Sequence, residues 1–155
     1  MLVAARRFVF VLLCVLVTSE VVHAQTVVET ASRWGLTGTW RLDCRQPTSR
    51  SNPDLKYVVR GGKLFHDRNF GDTADSSSVM SATVKANGSL EIVVNFTSFS
   101  QTRQFSFMKG SDGRIRAISN RNVDTNEYSV VDGKFTANGN PAPWQSRCSD
   151  GHSAR

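Results

Sequence analysis

Between Met80 and Phe96 the chain alternates apolar and polar residues twice, with Asn87-Gly88 between the two runs. Met80, Ala82 and Val84 share one parity before the turn; Leu90, Ile92, Val94 and Phe96 share one after it. Successive side chains change face only in extended backbone, and Asn-Gly supplies the positive φ of a tight turn. The stretch therefore predicts a hairpin with one buried face. An isolated hairpin is barely stable in water, so further strands are required. The sequence offers them. Gly38, Trp40, Leu42 and Cys44 alternate with polar residues, and Tyr57 to Arg60 and Lys63 to His66 flank Gly61-Gly62. Strand-like runs recur at 103–108, 114–119, 127–131 and 134–137. The polar stretch Asp67 to Ser78 reads as a long loop, and Thr26 to Trp34 allows a short N-terminal helix with Val27, Val28 and Ala31 on one face. The expectation is an all-β domain: an antiparallel meander of eight or nine short strands closed into a small barrel, since closure removes exposed edges.

Residues 1–24 are set aside as a signal peptide. Arg6 and Arg7 precede an apolar stretch from Phe8 to Val17, and Val22-His23-Ala24 gives a small-x-small cleavage site before Gln25. That apolar run is shorter than the ~20 residues of a membrane span. Without residues 1–24 the chain loses Arg6, Arg7 and Glu20, and its formal net charge goes from +6 to +5. Cys14 leaves as well. Cys44 and Cys148 remain, and in an oxidising compartment the default for two cysteines is one disulfide. It would close a loop of about 104 residues, with a chain-entropy contribution of roughly 4 to 5 kcal/mol. The domain is expected over 25–148, with a flexible tail over 149–155.

Trp40 lies four residues before Cys44 and Trp144 four before Cys148. An immunoglobulin-type sandwich wants its tryptophan between the cysteines, so a barrel is favoured, with Trp40 plugging one end and Trp144 nearby in structural roles. Gly35-Leu36-Thr37-Gly38-Thr39-Trp40 resembles the opening of lipocalin-like and avidin-like barrels, the calycin group, in which G-x-W begins the first strand. The resemblance rests on Gly38-Thr39-Trp40 and strand order. It implies a barrel holding a small apolar ligand and an arginine packed over the tryptophan, a place for Arg147 or Arg121. The avidin ligand set and the lipocalin C-terminal helix pattern are missing.

Catalytic signatures are scarce. His66 beside Asp67 has the composition of a polarised base but falls at a strand end, His152 falls in the tail, and no G-x-S-x-G or H-E-x-x-H occurs. No enzyme, cofactor or metal site is expected. Asp67 to Asp75 offers oxygen ligands but places Gly71 and Asp72 where a calcium loop needs an oxygen ligand and a glycine. Arg103 to Lys109 resembles a base-stacking strand, yet it lacks the flanking βαβ pattern, so Phe105 and Phe107 are read as core and nucleic acid is excluded.

The leading expectation is an exported, monomeric, non-enzymatic barrel, periplasmic or secreted from a bacterial envelope and without a membrane span after cleavage. It would bind a small lipophilic molecule through Tyr57, Val59, Met80, Val84, Ile92, Val94, Phe96, Phe105, Phe107 and Tyr128. The alternative is a periplasmic protein-interaction module, an inhibitor or envelope factor, acting through its basic surface, Arg114 and Arg116 included, and the 67–78 loop.

Overall fold

The computed structural model describes residues 26–149. The expected signal peptide and, apart from Ser149, the expected tail lie outside the described residues. Thr26 caps the helix α1 (Val27–Trp34): its hydroxyl accepts from Glu29 N while the Glu29 carboxylate accepts from Thr26 N. Gly35 stops the helix at φ 90°, with its N–H and that of Leu36 donating to Ala31 O. Thr30, Ala31 and Trp34 form the buried face, with Val27 and Val28 packed at its margin.

All strands among the described residues belong to one antiparallel sheet, and there are ten of them, beyond the eight or nine expected: β1 (Gly38–Arg41), β2 (Asp54–Arg60), β3 (Lys63–Asn69), β4 (Ala74–Val84), β5 (Leu90–Phe96), β6 (Gln101–Lys109), β7 (Ile115–Asn122), β8 (Tyr128–Val131), β9 (Lys134–Phe135) and β10 (Ser146–Cys148). Neighbours in sequence are neighbours in the sheet from β1 to β9, and β10 returns to pair with β1. The ladder does not pair its end strands β9 and β10 with each other. Next to β10, Gln145 exchanges two backbone hydrogen bonds with Ile115 of β7, at 3.0 and 2.7 Å. The disulfide Cys44–Cys148 holds β10 beside β1, with 5.5 Å between its Cα atoms. No helix among the described residues is long and apolar enough to cross a membrane.

Local chemistry explains the departures from simple alternation. Gly61 and Gly62 both take positive φ, 56° and 73°, which gives the β2–β3 turn the twist of its flanking strands. The polar run from Asp67 to Ser78 is no long loop. It continues β3 to Asn69, turns at Phe70 to Thr73 and starts β4 at Ala74. It stays extended because its charges are matched across the ladder: Arg68 with Asp75, and Arg60 with Asp67 at 2.8 Å. After Arg41 the backbone leaves the sheet, so Leu42 is exposed. Buried Asn52 organises that departure, donating to Asp43 O (2.9 Å), Gln46 O and Pro47 O (both 3.3 Å) and accepting from Asp43 N (3.0 Å).

On the inward face, α1 with Leu36 covers one end of the strands. Ala31, Leu36, Leu64, Leu90, Ile92 and Ile115 are essentially solvent-free there. Trp34 Nε1 donates to Gly88 O (2.9 Å) and Trp40 Nε1 to Leu36 O (2.7 Å), so both indoles are buried with their polar atoms paired.

Candidate functional site

Beyond this packed end the inward face borders a cavity of about 420 Å³. Its wall draws on seven strands. Leu55 and Tyr57 come from β2, His66 and Arg68 from β3, and Phe96 from β5. Arg103, Phe105 and Phe107 come from β6, Ala117 and Asn120 from β7, and Val130 from β8. Phe135 of β9, with Phe70, Phe99, Ala142, Pro143 and Gln145, completes it.

Register dictates this composition. Directly opposed residues in an antiparallel pair share a face, so Tyr57 meets His66, Leu55 meets Arg68 and Phe105 meets Asn120. Tyr57 stacks on His66 with ring centroids 4.5 Å apart; Phe105 and Phe107 lie nearly parallel at 5.9 Å; Phe96 stacks on Phe99 at 4.9 Å. The result is a rigid aromatic wall.

Set into it are polar groups with very different degrees of satisfaction. Arg68 ion-pairs with Asp75 through both carboxylate oxygens, and its guanidinium lies 4.5 Å from the Phe96 centroid and 5.2 Å from that of Phe99. The Arg68 hydrogen bonds hold the Asp75 carboxyl below its usual value. Arg103 makes only neutral bonds: Nε to Asn120 Oδ1 (2.8 Å), Nη1 to Gln101 Oε1 (3.1 Å) and Nη2 to Ser129 Oγ (2.9 Å). Burial pulls its guanidinium below the ordinary value, against a weaker opposing effect of Glu127.

His66 is 4% exposed, and its Nδ1 has no hydrogen-bond partner. Burial, with Arg68 acting in the same sense, pushes its imidazole down to about 3, so it is neutral near pH 7. Across the ladder from it Ser77 is also buried, and its Oγ likewise lacks a partner. Two orphaned polar atoms on facing positions cost stability, and such defects collect where a protein binds something. They do not bond each other, so no serine–histidine dyad forms. Burial also raises the Tyr57 phenol above its ordinary value, and it too stays neutral. Among the described residues, no group of three or more His, Cys, Asp or Glu is placed to hold a metal ion.

Of the ten residues expected to line a ligand site, Tyr57, Phe96, Phe105 and Phe107 border the cavity. Ile92 and Val94 are fully buried in the core without lining it. The other four are corrected. Met80 is the extra residue of a bulge between Val79 and Ser81, which turns its side chain outward to 59% exposure. Val59 and Val84 keep the inward parity of their strands but stand at the turn ends, past the packed core, and are exposed. Tyr128 is exposed because the β7–β8 register slips between Asn120 and Arg121, setting it opposite Arg121 and off the face of Val130.

Trp144 is half-buried at the β6–β7 hairpin with Arg116 (4.8 Å) and Arg114 (5.6 Å) over its ring, and Arg114 also pairs with Asp112. Arg147 lies directly across from Trp40, whereas Arg121 bonds Gln104 and Asn126. Arg68, Arg103, Asn120 and the neutral state of His66 were missed from sequence. Their signal was parity: Arg68 and His66 share it with Leu64, and Arg103 shares it with Phe105 and Phe107.

No family model matches this chain, and neither the curated proteins nor the solved structures compared with it give a match.

Proposed function

We propose that this is an exported, non-enzymatic carrier whose sheet curls into a lipocalin-like barrel around a small lipophilic ligand. One observation carries the reading: an aromatic cavity of about 420 Å³ whose wall holds a buried, neutral histidine with an orphaned nitrogen. A space of that size corresponds to about fourteen water volumes and lies within the range of small-molecule sites. An apolar wall left facing solvent is unfavourable, so a ligand that covers it gains affinity from the surface it buries.

Three further features support the reading. The Ile115–Gln145 bridge brings the segment before β10 onto β7, which supports a sheet that curls towards closure. Trp40 closes the helix-covered end beside Arg147, in keeping with the calycin resemblance. The Cys44–Cys148 disulfide fits an oxidising compartment such as the periplasm.

The test is native mass spectrometry of the gently purified protein together with a titration of N-phenyl-1-naphthylamine, an uncharged probe that fluoresces in apolar surroundings. A discrete small-molecule adduct, or saturable one-to-one probe binding that Ala117→Phe abolishes by filling the cavity, is the expected result. A bare polypeptide mass and a flat titration overturn it.

A further inference from the structure

The cavity wall contains two arginines and no carboxylate. Their situations differ in a way that selects one of them. Arg68 is neutralised by Asp75 and lies against the Phe96 and Phe99 rings, so it presents little unbalanced charge. Arg103 has no carboxylate in ion-pair contact among the described residues; side-chain oxygens of Asn120, Gln101 and Ser129 take one bond from each of its three nitrogens. A guanidinium carries five N–H groups, so three such bonds leave donors to spare. Glu127 acts on Arg103 only at a distance; a partly buried cation whose hydrogen-bond partners are all neutral is costly, and an anion in the adjoining space offsets that cost.

Parity shows that this placement belongs to the strand. Arg103 stands in register with Val94 on one side and Asn122 on the other, on the same face as Phe105 and Phe107. The strand thus runs from a cation to two stacked rings along a single wall of the cavity.

We infer that the ligand is an anionic amphiphile, its acid group bound by Arg103 and its apolar body lying along Phe105, Phe107 and Tyr57. The inference rests on the carrier reading and specifies the chemistry of the same site. The acid group is a carboxylate or an anion of similar size, which the planar guanidinium can bind through two parallel N–H bonds.

A matched pair of probes separates the two readings. N-Phenyl-1-naphthylamine and its 8-sulfonate share one apolar frame and differ by one anionic group. At about 0.15 M salt, where exposed charges are screened, the sulfonate is expected to bind about tenfold or more tighter. Arg103→Gln should bring the sulfonate down to the level at which that variant binds the uncharged probe. Arg121→Gln, on the outward face, should keep the full preference. If neither probe binds, the carrier reading falls and this inference with it. Equal binding of both by the native protein overturns the inference and leaves the carrier standing, and so does a preference that survives Arg103→Gln. Should Arg103→Gln fail to fold, the native protein still decides: decanoate should displace the uncharged probe at about a tenth of the concentration that 1-decanol needs, and equal potency overturns the anionic head.

Discussion

The two ends of the inward face are made by the same strands and finished in opposite ways. At the helix end, side chains from α1, Leu36 and the strand termini interdigitate, and both buried indoles find a backbone carbonyl at 2.7 to 2.9 Å. At the other end the rings stop short of filling the space, and two buried polar atoms, His66 Nδ1 and Ser77 Oγ, go without partners. Stability selects the first arrangement. The second lowers stability, a cost that ligand binding would offset under the proposed carrier function.

Substitution at the two ends should therefore cost unequal amounts. Trp40→Ala removes a fully packed ring and is expected to destabilise by about 3 to 5 kcal/mol. Phe105→Ala deletes a ring that already faces open space and should cost about half of that or less. Urea midpoints of the two variants measure the difference, and equal losses would break the contrast between the ends.

Over the pH window that isolates it, a smaller effect, about 2 kcal/mol, is expected from His66, the one histidine among the described residues. Its folded value of about 3 lies below the ordinary 6.5, so on acidification the unfolded chain takes up a proton that the folded chain refuses. The associated stability is fully present above about pH 6.5 and declines towards pH 3 by up to about 1.4 kcal/mol per unit. His66→Phe should flatten the curve between about pH 6 and 4.5, before the carboxylates titrate. A curve of unchanged slope would mean that the imidazole is free to protonate in place. The least effect belongs to the far side of the packed end. Thr26→Ala breaks the reciprocal cap of α1 and should lower stability by about 1 kcal/mol while leaving probe binding intact. A loss of binding in that variant would show the two ends to be coupled.

Much of the frame was legible in the sequence because hairpins announce themselves through parity and glycine. The pairings Val84 with Leu90 and Arg60 with Lys63 follow from Asn87-Gly88 and Gly61-Gly62. The helix was legible in the spacing of Val27, Val28 and Ala31, whereas its reciprocal cap by Thr26 and Glu29 went unread. The site was legible only in its rings. A period-two reading assigns polar residues to solvent, so Arg68 and Ser77 vanished into an expected loop and Arg103 passed for a strand margin. What holds them inward is non-local: Asp75 across the ladder for Arg68, Asn120 and Ser129 for Arg103. Bulges defeated parity in the other direction. The extra residue at Met80 carries no sequence mark, because it is defined by the pairing of β4 with β5 and not by the local sequence.

The pairing of β10 with β1 also sets an order of events. β1 is among the first strands to be made, yet the partner for its outer edge comes from residues 146–148. A chain delivered from its N-terminus must keep that edge unmatched until almost all of the domain has emerged, and an unmatched edge is where chains stick to one another. Sealing by Cys44 and Cys148 is thus a final act of assembly. Any delay in supplying the oxidant would prolong the interval in which newly made copies can aggregate.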